Sequence, residues 1–143
     1  TFQVNDPFGE AVTEEARWRR TLEALRRVLR GEASVEDLLA RRRAVHPSGE
    51  GVAGPPKISV DNQISDSRTV VEVKCPDRVG LLYVITRTLS GYGLDIASAR
   101  IATEIDQAYD TFYVTDRQGR RLEDEAAMAR VRESLEEALL KPL

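Results

Sequence analysis

Apolar positions in the first third of the chain recur at helical spacing. Trp18, Leu22, Leu25 and Leu29 lie four, three and four residues apart, which sets them on one stripe of an α-helix. Thr13 suits the N-cap, Glu14 and Glu15 suit the first turn, and Gly31 ends the pattern. A shorter helix is expected after Ser34, through VEDLLARRR. From Ala44 to Pro56 the chain turns to glycine, proline and small residues, the composition of a linker. Beyond it the period drops to two. Lys57–Asn62 and Thr69–Cys75 read as strands around a polar turn, with Val71, Val73 and Cys75 on one face and Glu72 and Lys74 on the other. The helical period returns from Val79 to Ser90, with Leu81, Leu82, Ile85 and Leu89 inward, and Gly91 and Gly93 close it. DIASARIATE and QAYDTFYVTD give two more strands, joined at Ile105–Asp106. A last helix is expected from about Glu123 to Leu140, burying Met128, Val131, Leu135, Ala138 and Leu139, with Pro142 just past its end.

From Thr69 the order is therefore strand, helix, strand, strand, helix. That is an α+β fold, a ferredoxin-like βαββα sandwich lacking its final strand. In this topology the missing strand lies antiparallel beside the first. A hairpin partner of Thr69–Cys75 takes the same place, so Lys57–Asn62 is expected to supply the fourth strand of an antiparallel sheet from the N-terminal side. The other option is that this strand closes a preceding module. An internal repeat supports the existence of one: TFQVNDPFGEAVTEEARWRRTLEALRRVL from Thr1 and TFYVTDRQGRRLEDEAAMARVRESLEEAL from Thr111 align without a gap. Each copy reads as a strand, a turn carrying Gly9 or Gly119, and an amphipathic helix. The chain is expected to hold the strand and helix of a truncated module over 1–43, a linker over 44–56, and a complete module over 57–143. It has no initiator methionine, and a longer parent chain is expected.

Composition narrows the function. Hydrophobic residues make up 41% and charged residues 31% of the 143, with a net charge of -3. A nucleic-acid partner would call for a basic stripe, so none is expected. No apolar run approaches a membrane span and no signal peptide is evident, so no membrane partner and a cytoplasmic location are expected. One cysteine excludes an internal disulfide and a cysteine zinc site. The one histidine, His46, falls in the linker stretch, which argues against a His–Ser pair or a histidine metal cluster.

The chemistry points to the junction between Cys75 and the following helix. Asp77 is placed to cap that helix, and Gly80 permits close approach of a ligand or another backbone. The amides of Val79 to Leu82 would project from a helix N-terminus, whose partial positive charge suits a carboxylate. A zwitterionic amino acid also needs acid for its ammonium, and Asp77 with Asp95 could supply it. From these residues alone the plainer reading, with Asp77 only a cap, Gly80 a packing glycine and Asp95 a turn residue, is the favoured one.

PDRVGLLYVITRTLSGYGLDIASARIAT, followed by YDTFYVTDRQG, resembles the signature of the ACT-domain family. More narrowly, KISVDNQISDSRTVVEVKCPDRVGLL resembles the stretch joining the two ACT modules of PII uridylyltransferase/uridylyl-removing enzymes. The resemblance implies a regulatory, non-catalytic region that senses an amino acid, glutamine in that family. It implies a parent with a Mg-dependent nucleotidyltransferase domain and an uridylyl-removing hydrolase domain acting on the PII nitrogen-signalling protein; no cofactor is expected in this chain. It carries ligand binding to Asp77, Arg78, Val79, Gly80, Leu81 and Leu82, and to Asp95, Ile96 and Ala99. Two positions depart from the family pattern: Val79 replaces a proline, and Asp95 replaces an asparagine, so that an ionised side chain there can only accept.

Three other functions compete. A metal-dependent catalytic site would use Asp106, Asp110 and Asp116, but Asp110 and Asp116 lie about 20 Å apart on an extended strand. A single-stranded nucleic-acid binder would stack bases on Tyr109 and Tyr113, yet Phe112 should face the core and the surrounding charge is wrong. An ACT-type oligomerisation module without a ligand stands as the alternative to sensing. The stripe of Trp18, Leu22, Leu25 and Leu29 needs cover, so the half-module is expected to pack on the complete one or on a second chain, as a homodimer.

Overall fold

The computed structural model describes residues 15–45 and 54–141, and the chain divides into two compact units between Val45 and His46. The strand expected at Thr1, the Thr13 cap and Gly9, most of the linker, and Pro142 lie outside the described residues. The first unit holds α1 (Glu15–Leu29) and α2 (Val35–Val45). Gly31 takes φ 72 after α1, as a C-terminal glycine does. Ser34 caps α2, its Oγ accepting from the Asp37 N–H at 3.1 Å. α1 forms the expected amphipathic helix but buries none of its residues, and Leu25 is 51% exposed.

The second unit runs β1 (Lys57–Asp61), β2 (Thr69–Pro76), α3 (Leu81–Gly91), β3 (Asp95–Glu104), β4 (Gln107–Thr115) and α4 (Glu125–Leu140). Its four strands pair in the order β1-β2-β4-β3, every neighbour antiparallel. β1 lies beside β2, Lys57 opposite Lys74 and Asp61 opposite Val70, so the fourth strand does come from the N-terminal side. Val71, Val73 and Cys75 of β2 and Phe112 and Val114 of β4 meet Leu81, Ile85 and Leu89 of α3 and Val131, Leu135 and Leu139 of α4 in one core. Phe112, Ile85, Leu89 and Leu135 are fully buried, each contributing about 1.5–3 kcal/mol.

A polar clip closes the β1 end of this layer. Thr69 Oγ1 donates to Asn62 Oδ1 at 2.8 Å and accepts from the Leu122 N–H at 2.9 Å. Asn62 Nδ2 donates in turn to the Leu122 carbonyl. Thr69 is fully buried, so the clip satisfies groups that water cannot reach. Asp61 accepts from the Gln63 and Ile64 amides and shapes the turn that follows. The SVDN stretch thus has a structural task in this chain.

Two helix expectations need correction. α3 starts at Leu81, two residues late, because Gly80 stands at φ 84 and cannot continue a right-handed helix. Val84 then takes an inward place, and Leu82, expected inside, is 46% exposed. α4 opens at Glu125 behind Asp124, whose side chain accepts from the Ala126 N–H, and its Met128 and Ala138 are only half-buried.

Candidate functional site

β2 delivers the chain to the junction at Pro76, opposite Gln107 of β4. The Asp77 N–H donates to the Asp106 carbonyl at 2.8 Å, tying the loop to the β3–β4 turn. Ile105 and Asp106 form that turn with φ of 45 and 61, a conformation a β-branched residue adopts only under constraint. Arg78 anchors the other side: its Nη1 donates to the Lys141 carbonyl at 2.7 Å and its Nη2 to that of Ala138. A cation at the last carbonyls of α4 also meets the negative end of that helix. Asp77 does not cap α3, contrary to expectation. Gly80 is the N-cap, and no side chain bonds to it.

The amides beyond the loop are largely unspent. Leu81 N–H donates to the Arg78 carbonyl at 3.2 Å and Val84 N–H to that of Gly80 at 3.0 Å. Among the described residues the N–H groups of Val79, Gly80 and Leu82 have no partner. Asp77 and Leu82 are exposed, Arg78, Val79 and Gly80 half-buried, and Leu81 buried. Among the described residues a cleft of about 390 Å³ lies elsewhere, on the outer sheet face around Lys57, Glu72, Lys74 and Tyr109. There the Lys74 Nζ lies 4.9 Å from the Tyr109 ring centroid, and Phe112 points into the core.

Asp95, Ile96 and Ala99 are not beside these amides. Asp95 pairs with Thr115, at the far end of β4 from Gln107, while Glu104 pairs with Gln107. Nine residues of strand separate the two ends, roughly 30 Å. Asp77 and Asp95, expected to serve one ammonium together, therefore do not adjoin within one chain: β3 leaves α3 at the end of the sheet opposite to the junction. All ten residues of β3 are exposed, and Ile96 and Ala99 stand open.

Sequence reasoning missed the role of Asp110 as a core residue. Ala108, Phe112 and Val114 alternate inward on β4, and Asp110 occupies the inward position between them. An acid breaking an apolar alternation was the available signal. Burial raises its carboxyl to about 6, against the backbone of Ala102, which lowers it, while Asp77 adds to the rise. Cys75 is pushed up to about 11, by burial first and then by Asp110, which makes it an unreactive thiol. Asp116 Oδ1 accepts from the Gln118 and Arg120 amides at 2.9 Å, so it organises a turn. Among the described residues no group of three or more His, Cys, Asp or Glu could hold a metal ion, and no helix is long and apolar enough to cross a membrane.

The family model of the ACR9-like, ACT-like domain matches residues 57–143. The chain belongs to the ACT-like domain family. Its ACT-like unit is the four-stranded sheet with α3 and α4. Among curated proteins, the bifunctional uridylyltransferase/uridylyl-removing enzyme of Rhodospirillum rubrum is 37% identical over 139 residues, which covers 96% of this chain and 15% of that protein. The enzyme of the same name from Azospirillum brasilense is 38% identical over 143 residues, 99% of this chain and 15% of that protein. The one from Nitrobacter hamburgensis is 36% identical over 135 residues, 94% and 14%. The ACT-like chain thus spans about 15% of the length of these relatives. No solved structure matches it.

Proposed function

We propose that this chain is the non-catalytic, amino-acid-sensing region of a uridylyltransferase/uridylyl-removing enzyme, with glutamine as its effector. In this reading it controls UMP transfer to, and removal from, the PII protein by catalytic domains elsewhere in the parent, where any Mg would bind. The observation that carries the reading is the set of open amides on Val79, Gly80 and Leu82 at the start of α3. They offer a ligand carboxylate hydrogen bonds and the positive end of a helix. Residues 1–43 then belong to a preceding ACT module. By the repeat, Leu25 and Leu29 of α1 correspond to Leu135 and Leu139 of α4, which are buried in the complete module.

The distance between junction and strand start implies a site shared by two modules. If β3 pairs antiparallel with β3 of a second copy, the Asp95 end of one strand comes to the Glu104 end of the other. Asp95, Ile96 and Ala99 of one copy would then face Asp77, Arg78 and Leu82 of its neighbour in a homodimer. Such pairing would also satisfy the open backbone edge of β3, which otherwise invites association. That same edge favours the second reading, an oligomerisation module that binds no ligand. Titration calorimetry with glutamine and other amino acids separates the two. Saturable heat with glutamine supports sensing; silence from every amino acid at millimolar concentration leaves only the oligomerisation role.

A further inference from the structure

Asp110 is the one buried side chain of the described residues that carries an unanswered polar atom. It is 3% exposed, and its Oδ1 has no hydrogen-bond partner. Thr69, equally buried, has every polar bond met, so a lack of partners is not the habit of this core. A buried carboxylate oxygen left bare is costly unless something else arrives to fill it.

Its surroundings say from where. On β2, Val73 lies opposite and is sealed; on β3, Ile101 lies opposite on the same face and is 51% exposed. The residue opposite Asp110 on the edge strand is thus itself open to solvent, whereas the one on β2 is not. The junction is close. Cys75 pairs with Ala108, one inward position from the Val73–Asp110 pair, and both residues share a core cluster with Leu81, the first residue of α3. Asp110 also feels the charge of Asp77. Asp95 of the same chain, by contrast, lies about 20 Å along β3 from Ile101. An amino acid carries its carboxylate and ammonium on one carbon, so the acid that answers the ammonium must stand near the amides that hold the carboxylate.

We infer that Asp110 is the acidic anchor for the ammonium group of the amino acid whose carboxylate sits on the Val79–Leu82 amides. This rests on the sensing reading and supplies the partner that Asp77, exposed and solvated, provides only weakly. Asp95 of a second copy is left to accept from the side-chain amide of the ligand.

Two measurements on the full chain test it. The carbon-13 resonance of the Asp110 carboxyl, followed against pH, should show its titration midpoint fall by about one unit or more when glutamine saturates the protein. The other groups facing it, Asp77 and the Cys75 thiol, are followed in the same spectra. In calorimetry Asp110→Asn should weaken glutamine about tenfold or more, whereas glutaramate, the analogue without the amine, should bind wild type and D110N alike. If glutamine binds but neither midpoint nor affinity moves, Asp110 is no anchor and the sensing reading survives. If no amino acid binds wild type, both fall together. Should D110N not fold, the carboxyl titration of the wild type decides alone.

Discussion

Asp110 places a pH dependence on the stability of the chain whose sign is set by its environment. An unfolded aspartate titrates near 4, whereas the folded Asp110 titrates at about 6 because burial disfavours its charge. Below about pH 4 both states hold the proton and no penalty exists. Between about 4 and 6 the unfolded chain releases its proton and the folded one retains it, so stability falls as pH rises, by about 2–3 kcal/mol in all. D110N has no such group to titrate. Urea denaturation at pH 4 and pH 7 should show wild type losing that amount relative to D110N; an unchanged difference would mean that Asp110 is solvated or paired. Thr69 gives the complementary case. Thr69→Val keeps the volume but strands the Leu122 N–H and Asn62 Oδ1, and denaturation should register a loss of about 1–3 kcal/mol. Neither residue announces its role by type: the burial of Thr69 depends on a loop more than fifty residues away.

At the scale of elements, Gly80 decides how the site is presented. Its φ of 84 breaks the right-handed path so that α3 begins only at Leu81, and the Val79, Gly80 and Leu82 amides have no partner among the described residues. Gly80→Ala forces a side chain into left-handed backbone, at a cost of about 1–2 kcal/mol. The thermal midpoint should drop, and glutamine affinity should drop with it, since any relaxation of φ re-aims the Val79 and Leu82 amides; retained affinity would separate the glycine from the ligand. The same residue explains what the sequence could and could not reveal. β1 was readable because it follows from hairpin adjacency, and the β3–β4 pair because both strands alternate around a two-residue turn. LLYVI satisfies two helical phases, and only a start after a left-handed glycine selects the one that leaves Leu82 outside. The same start gives the N-cap to Gly80 and not to Asp77. The junction amides were readable as a helix start, but their separation from Asp95 depends on which end of the sheet each strand meets, a property of topology and not of spacing.

At the scale of the whole molecule, that separation becomes a statement about assembly. One chain holds the Val79–Leu82 amides at one end of β3 and Asp95 at the other, so a shared site needs two copies with the β3 strands antiparallel. Two variants can then complement each other. Gly80→Val removes the amide end of every site it joins, and Asp95→Lys removes the strand end. Neither alone should bind glutamine in calorimetry. Mixed in equal amounts and allowed to exchange subunits, half of the dimers become hybrids. Each hybrid pairs the intact junction of the D95K chain with the intact strand of the G80V chain at one of its two sites. Binding should return to about a quarter of the wild-type stoichiometry, with wild-type affinity, as two-fold symmetry requires. A site built within one chain gives no recovery at any mixing ratio, and that outcome would remove both the shared site and the antiparallel pairing that creates it.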